Sequence, residues 1–357
     1  VRGPELACRF PELPEFRDLM NNVRTPESAP DGSVKIRLSP APLFLIGKPE
    51  SILEGFREAG LSRLADAVRA SVFPDASGGL TLTLTNRSTQ SRQLRVQIGS
   101  WRRDVTLPPG ESSFRLPKES ATEFGKMYHW NKPIRLTAPD GESVELEWKI
   151  TFFRVPCTAR PLPENPDAPE WNAIPAIPLT SRYVQFSLQN IPHGHPGDLE
   201  ATFRAAWDEK NFYVMIDAKD DKFQFYPEAF KNGRRDVLYL LDGCAELYFD
   251  TGANALLKDT RGYDLDDYRY DFGQAVDGAD GSGSVWRLRE PTMQLMGALN
   301  MPSKEEAMRN VKCTFRKTAE GYRYTMIFPQ RYLEPLKLTE GTLAGFAIFL
   351  HDRDDPK

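Results

Sequence analysis

The fold of this chain is decided by the stretch Leu199-Glu200-Ala201-Thr202-Phe203-Arg204-Ala205-Ala206-Trp207, the break Asp208-Glu209-Lys210-Asn211, and the run Phe212-Tyr213-Val214-Met215-Ile216-Asp217-Ala218. Both apolar runs are rich in residues that favour β-strands, and the first alternates, imperfectly, between apolar and polar side chains. Four polar residues separate them, which is a length typical of a hairpin connection. The stretch therefore predicts two antiparallel strands.

Two further pieces place charged residues inside strand patterns. Asp242-Gly243-Cys244-Ala245-Glu246-Leu247-Tyr248-Phe249-Asp250 is a turn followed by a strand with Glu246 among apolar neighbours, and Asp266-Asp267-Tyr268-Arg269-Tyr270-Asp271-Phe272 is a period-2 pattern centred on Arg269. A carboxylate and an arginine on neighbouring strands can pair bidentately, and the same fork can hold sugar hydroxyls. Two interpretations stay open here, a structural ion pair and a ligand site.

These pieces, in this order, resemble family 9 carbohydrate-binding modules and their relatives with a DOMON-like β-sandwich. Residues 171–179, 321–329 and 345–354 extend the resemblance over the C-terminal half of the chain. The resemblance implies a jelly-roll sandwich that binds poly- or oligosaccharide without chemistry. It also implies that Glu246 and Arg269 hydrogen-bond the sugar, and that the protein is secreted, periplasmic or on the cell surface.

Length and composition predict two all-β domains and exclude two classes of partner. A chain of 357 residues with 29 Pro and 25 Gly, in which helix-period runs are scarce, favours turn-rich β domains. The net charge of −4 leaves no basic surface for nucleic acid. No apolar run reaches the roughly 18 residues of a membrane span. We therefore expect neither nucleic acid nor membrane as a partner.

The expected architecture is two β-sandwich domains. Residues 1–32 look like an extended lead-in, and short, evenly spaced strands over 33–155 suggest an immunoglobulin-like sandwich. Five prolines within 156–169 predict a stiff linker before the second sandwich, 170–357. Residues 33–47 resemble the closing strands of the β-domain that follows the barrel in many glycoside hydrolases. Together with a start at Val1, this suggests a processed product, the C-terminal part of a larger enzyme.

Sugar recognition needs flat apolar surface beside hydrogen-bonding groups. Trp286, Tyr226 and Tyr239 are aromatic residues in or beside predicted loops of the second domain, and we predict that they cover the sugar ring. In the family a further strand with a sugar-stacking Trp follows the Asp-x-Asp motif near the end. Here the chain stops at Lys357, so we expect either that this strand is missing from the chain or that another segment replaces it.

Acidic loops make calcium a candidate cofactor. Clustered carboxylates suit Ca²⁺, although the spacing does not match an EF-hand, and a solvated acidic loop is the alternative. The family resemblance implies one or two structural calcium ions. The candidate ligands are Asp264, Asp266, Asp267, Asp352 and Asp354.

Cysteine and histidine spacing gives no metal or disulfide framework. Cys244 and Cys313 stand in strand-like runs and are expected to be buried free thiols, whereas the state of Cys8 and Cys157 stays open. Haem-binding DOMON domains are another alternative function, since Met293, Met296 or Met301 with His193 would be the candidate axial ligands. Methionine in an apolar run is more often core, which disfavours this alternative.

The sequence carries no Gly-x-Ser-x-Gly, His-Glu-x-x-His or P-loop pattern. We therefore expect no catalysis by this chain itself, and a monomeric accessory region tethered to a polysaccharide-degrading enzyme. The alternative is a catalytic or structural part of a glycoside hydrolase that does not bind sugar autonomously.

Overall fold

The computed structural model describes residues 5–18, 21–29, 31–37, 43–57, 60–61, 64–75, 79–117, 122–124, 127–179, 199–223, 243–254, 265–274, 281–291 and 300–352. These residues are mostly β-strand with a few short helices, so the predicted all-β class is confirmed. Contacts divide the chain into two compact units, Val1–Thr122 with Tyr128–Phe152 and Glu123–Met127 with Phe153–Lys357. No helix in the described ranges is long and apolar enough to cross a membrane.

The strands of the described residues are numbered in chain order. They are β1 Glu5–Cys8, β2 Glu15–Asp18, β3 Val23–Arg24, β4 Glu27–Ser28, β5 Val34–Arg37, β6 Leu43–Ile46, β7 Gly60–Leu61, β8 Val68–Pro74, β9 Leu80–Asn86, β10 Arg92–Ile98, β11 Trp101–Leu107, β12 Gly110–Arg115, β13 Thr122–Phe124, β14 Met127–Asn131, β15 Ile134–Thr137, β16 Ser143–Leu146, β17 Lys149–Phe153, β18 Ile177–Leu179, β19 Leu199–Trp207, β20 Asn211–Asp220, β21 Ala245–Asp250, β22 Asp267–Gln274, β23 Gly283–Arg289, β24 Lys312–Lys317, β25 Gly321–Pro329 and β26 Gly345–Leu350. The helices are α1 Pro49–Arg57, α2 Leu64–Ala67, α3 Lys304–Asn310 and the 3-10 turns Pro169–Ala173 and Gln330–Tyr332.

The first unit contains two antiparallel sheets over one core, β11-β10-β15-β16 and β12-β9-β8. Leu82 and Leu84 of β9 and Val96 of β10 are fully buried in that core. Alternation explains this, because every second residue of these strands is apolar and points to the same side.

The N-terminal segment, expected as an extended lead-in, forms part of two small sheets. Strand β1 pairs with β5 and β7, and β2 pairs with β3 and β6. Cys8 and Phe16 are buried in a small core with Val34 and Ile36. The strands within residues 1–32, β1 to β4, have only two to four residues and are too short to show a period-2 pattern, which is why the sequence did not indicate them.

The second unit is a sandwich of a five-stranded sheet, β18-β19-β20-β25-β24, and a four-stranded sheet, β23-β22-β21-β26. The predicted hairpin is confirmed as β19 and β20, in which Phe203 lies opposite Ile216. Inward side chains of both sheets, among them Val214, Leu247 and Tyr270, share one buried core. A further predicted strand at 183–188 lies outside the described residues.

The proline-rich segment 156–169 lies along the second unit, where a free linker had been expected. Pro156 accepts a backbone hydrogen bond from Trp207 (3.0 Å), and Thr158 donates one to Trp207 (2.8 Å). Leu162 from this segment is buried with Trp171 and Tyr213 on the outer face of the five-stranded sheet. Isolated apolar residues between prolines give no periodic signal, so this packing was not visible in the sequence.

Candidate functional site

The candidate site lies on the outer face of the four-stranded sheet. Ala245, Leu247 and Phe249 of β21 point into the core, so Glu246 and Tyr248 between them point outward. Glu246 lies directly opposite Asp271 of β22, and also opposite Phe349 of β26. Adjacent residues of neighbouring strands share a face, so strand register alone brings these side chains together.

Arg269 joins two carboxylates on this face. Its Nη2 donates to Glu246 Oε1 (2.7 Å) and to Asp271 Oδ2 (3.0 Å), while its Nε donates to Asp271 Oδ1 (2.8 Å). The Asp271 side chain is completely buried, whereas the Arg269 side chain keeps 20% of its surface exposed. Glu246 and Arg269 therefore do pair, and the pair lies outside the apolar core.

His351 and Tyr248 complete a group that we call the Glu246 network: Glu246, Tyr248, Arg269, Asp271 and His351. His351 Nε2 lies 2.8 Å from Glu246 Oε1, and Tyr248 donates its hydroxyl to Glu246 Oε2 (2.5 Å). The Arg269 guanidinium also lies 5.5 Å from the centre of the Tyr248 ring. Glu246 is thus held by three side chains, each from a different strand or strand end.

Backbone hydrogen bonds place His351 beside Glu246. The His351 amide donates to Cys244 O (2.9 Å), and the Gly243 amide donates to His351 O (2.8 Å). These bonds continue the pairing of β21 with β26 by one step, so His351 shares the outward direction of Phe349. Gly243 itself has a φ of +67°, and a Cβ atom at this position would lie 2.3 Å from the Phe223 ring, so a larger residue would strain the turn before β21.

Burial and charge shift the acid–base properties of the network in opposite directions. Burial acts to raise the pKa of Glu246, but hydrogen bonds from His351 and Tyr248, with the Arg269 charge, outweigh it and hold that pKa below its ordinary value. Burial raises the pKa of Asp271, and the Arg269 hydrogen bonds offset this only in part. Burial opposes the charged form of Arg269, yet Asp271 and Glu246 raise its pKa above the ordinary value.

The network presents fixed donors and acceptors rather than a reactive pair. The hydrogen bonds of Arg269 to described residues use Nε and Nη2. Its two Nη1 N–H groups have no acceptor among those residues, so they can donate to a ligand. Glu246 keeps acceptor capacity on Oε2, which takes one hydrogen bond. A rigid donor beside a rigid acceptor can hold two neighbouring hydroxyl groups.

The predicted aromatic cover does not agree with the structure at Trp286. This residue lies opposite Asp271 on β23, but only 5% of it is exposed, so its ring cannot present a face to a ligand. On the neighbouring strand β22, a Cβ atom built on Gly273 would lie 3.8 Å from the Trp286 ring. Tyr226 and Tyr239 lie outside the described residues.

The predicted acidic ligands have other partners where they are described. Asp266 accepts hydrogen bonds from Thr251 Oγ1 (3.0 Å) and Asn254 Nδ2 (3.0 Å), which hold the turn after β21. Asp266 and Asp267 are buried and Asp352 is exposed, whereas Asp264 and Asp354 lie outside the described residues. Among the residues that are described, no three His, Cys, Asp or Glu side chains form a metal-binding group. The calcium site stays a prediction, because two of its five candidate ligands lie outside the described residues.

Sequence reasoning missed Tyr248, Asp271, His351 and Phe349. The first two were within reach, because each is two residues from a predicted site residue and must share its face. His351 and Phe349 required the pairing of β26 with β21, which links residues more than a hundred positions apart. The described cysteines are all free, with Cys244 buried as expected.

Comparison with known proteins gives one family and two similar structures. A family model described as carbohydrate family 9 binding domain-like matches residues 170–357. A carbohydrate binding module family 9 from Caldicellulosiruptor kristjanssonii in complex with cellotriose is 15% identical with a TM-score of 0.36, and the match covers 56% of this chain and 76% of that chain. A carbohydrate binding module family 9 from the same organism in complex with glucose is 14% identical with a TM-score of 0.34. That match covers 55% of this chain and 75% of the other chain. None of the curated proteins matches this chain.

Proposed function

The chain belongs, through residues 170–357, to the carbohydrate family 9 binding domain-like family, and from that premise we propose that its second unit binds carbohydrate without chemistry, through the Glu246 network. One observation carries the proposal. Glu246 and Arg269 stand at the positions that the resemblance assigns to sugar hydroxyls, and their side chains lie 2.7 Å apart on one outward face.

The preorganisation of the network supports this role. Arg269 is held by two hydrogen bonds to Asp271, so its guanidinium plane is fixed before any ligand arrives, and Nη1 bonds to none of the residues that the structure describes. Glu246 is held by His351 and Tyr248, and the lowered pKa keeps it an ionised acceptor. Groups fixed in advance lose little conformational entropy on binding, which favours affinity for a flexible, strongly hydrated sugar.

The test is binding of the full chain to a glycan array of neutral and acidic oligosaccharides, with cellotriose and glucose as first probes, followed by calorimetry. The informative variant is Arg269→Lys, which keeps a positive charge beside Asp271 but removes the planar fork. We expect it to lose binding while the protein stays folded. Arg95→Lys is the matched control, since Arg95 pairs with Asp104 (2.8 Å) on the surface of the first unit.

Two outcomes would contradict the proposal, and they differ. If the wild-type chain binds no glycan on the array, carbohydrate binding itself is wrong. If wild type binds but Arg269→Lys binds equally well, the carbohydrate site lies elsewhere on the second unit and the Glu246 network is structural.

We also propose that the chain is a monomeric accessory region of an extracellular polysaccharide-degrading enzyme. The family resemblance supports this finer statement, because such modules act by keeping a catalytic domain near its substrate. The gene sequence on both sides of Val1 and Lys357 tests it. A glycosidase domain in the same reading frame is expected, and its absence there would contradict the tether.

Structural calcium is a separate proposal that rests on the family resemblance. The candidate ligands are Asp264, Asp266, Asp267, Asp352 and Asp354, although those that are described do not form a site by themselves. Binding to the folded state alone would raise the melting temperature with calcium concentration. Melts in chelator and in millimolar calcium that superimpose would contradict it.

A further inference from the structure

One row of side chains crosses the outer face of the four-stranded sheet from edge to edge. Register places Phe349, Glu246, Asp271 and Trp286 next to one another, on β26, β21, β22 and β23 in that order. The row thus has a carboxylate pair in the middle and an aromatic residue at each end. The two aromatic ends differ in exposure: Trp286 is 5% exposed and Phe349 is 40% exposed.

Phe349 is an apolar side chain at a position where the strand pattern does not need one. Phe346, Ile348 and Leu350 of β26 pack against the core, whereas Phe349 points to the opposite side. Leaving part of such a ring in water forgoes burial free energy that packing against an apolar surface would recover. Single exposed apolar residues are common, so exposure alone assigns no role to it.

The neighbours of Phe349 give it a specific environment. Its ring meets the Tyr248 ring edge to face, with the centres 5.4 Å apart, and Tyr248 in turn donates to Glu246. Ala347, two residues earlier on the same side, is exposed and small, which leaves room above the strand. His351, two residues later on that side, bonds to Glu246. An apolar ring is therefore flanked by the polar groups of the network.

We propose that Phe349, supported by Tyr248, is the apolar platform against which the ring face of a pyranose packs in this protein. This inference rests on the proposed carbohydrate function. In it, Phe349 has the role that the sequence analysis had assigned to Trp286. A pyranose presents C–H groups on its faces and hydroxyls at its rim. The exposed Phe349 ring takes the face, while Arg269 and Glu246 beside it take the rim.

The experiment measures oligosaccharide binding by the full chain on an array of immobilised neutral oligosaccharides, and then by calorimetry with the tightest-binding member. Phe349→Ala is expected to weaken binding by about tenfold or more, because the buried ring area is lost. Phe349→Trp is expected to keep or improve binding, and Phe349→Leu to lose most of it. Leu343→Ala is the matched control, since Leu343 has the same 40% exposure in the same unit.

The outcomes separate this inference from the function beneath it. If wild type binds, and Phe349→Ala binds as well as Leu343→Ala does, then Phe349 is not the platform. Carbohydrate binding by the chain would still stand. Wild type that binds nothing on the array overturns the proposed function, and the platform with it. Melting temperatures of Phe349→Ala within a few degrees of wild type, together with weaker binding, support the platform, whereas parallel losses of both would assign Phe349 a structural role.

Discussion

On the outer face of the five-stranded sheet, Trp171 and Leu162 pack against Tyr213, and all three are buried. On the outer face of the four-stranded sheet, Arg269 and His351 bind Glu246 and keep 20% and 25% of their side-chain surfaces exposed. Both faces follow from the same period-2 alternation. They differ because a proline-rich segment covers the first, and the residues beneath that segment are apolar to match it.

Polar groups on the covered face bond to one another and to the covering segment. Tyr213 donates to Asp208 (2.5 Å), and Asp167 of the covering segment pairs with Arg323 (2.8 Å) and with Arg316. On the other face the polar groups bond to each other, and the hydrogen bonds of Arg269 to Glu246 and Asp271 use Nε and Nη2. We infer that the covered face provides stability and that the network face provides recognition.

The largest effect is expected from Trp171→Ala on the covered face. Trp171 is 1% exposed, and its Nε1 donates to Pro163 O (3.1 Å), so truncation removes a large buried ring and releases the covering segment. We expect a loss of about 3–5 kcal/mol in the free energy of unfolding. Denaturant titration measures it, with Phe349→Ala as the exposed counterpart that changes stability little. A loss below about 1 kcal/mol would mean that the segment does not hold the sheet.

Arg269→Ala is expected to destabilise the network face by about 3 kcal/mol, because it leaves the buried Asp271 carboxylate without its partner. Adding Asp271→Asn should restore part of the lost stability, since no buried charge then lacks a partner. Binding should stay absent in both variants. A double variant no more stable than Arg269→Ala would contradict the buried-charge explanation.

Asp208 on the covered face and Asp271 on the network face are expected to change stability with pH in opposite directions. Burial acts to raise the pKa of Asp208, but hydrogen bonds from Tyr213 and the Lys210 and Asn211 amides hold it below its ordinary value, so its stabilisation is lost as pH falls through that lowered pKa. Burial raises the pKa of Asp271, so its contribution is present in acid and is lost as pH rises through that raised pKa.

Unfolding free energies measured between about pH 3 and 7 check both signs. Asp208→Asn should reduce the loss of unfolding free energy as the pH falls. Asp271→Asn should increase that loss, because this variant lacks the carboxyl whose protonation stabilises the fold in acid. Variants with the same pH slope as wild type would show that neither carboxyl is perturbed in the folded state.

The smallest effect is expected from Asp167→Asn. Asp167 pairs with Arg323 and Arg316, but about a third of each side chain is exposed, so solvent screens these pairs. We expect a loss of about 1 kcal/mol or less, reduced further by salt. Denaturant titration at low and high salt measures it. A salt-independent loss of several kcal/mol would instead make this ion group a main attachment of the covering segment.

The two faces also show what the sequence could reveal. Strands β19 to β22 were predictable because each is six to ten residues long with a visible period, and Glu246 and Arg269 stood out as charges inside those periods. The covering segment was misread as a linker because scattered apolar residues between prolines carry no period. Trp286 was assigned to the site because the sequence places an aromatic residue near it. The sequence does not tell how far the side chain is buried. Phe349 and His351 needed long-range pairing, which alternation within one strand cannot supply.

The most direct test of the central claim is chemical-shift mapping of the labelled wild-type chain during titration with the array's tightest-binding neutral oligosaccharide. The account predicts that the largest shifts fall on outward residues of β21, β22 and β26, including Glu246, Arg269, Phe349 and His351, while Trp171 and Tyr213 stay unchanged. Shifts confined to the five-stranded sheet, or to the first unit, would contradict it.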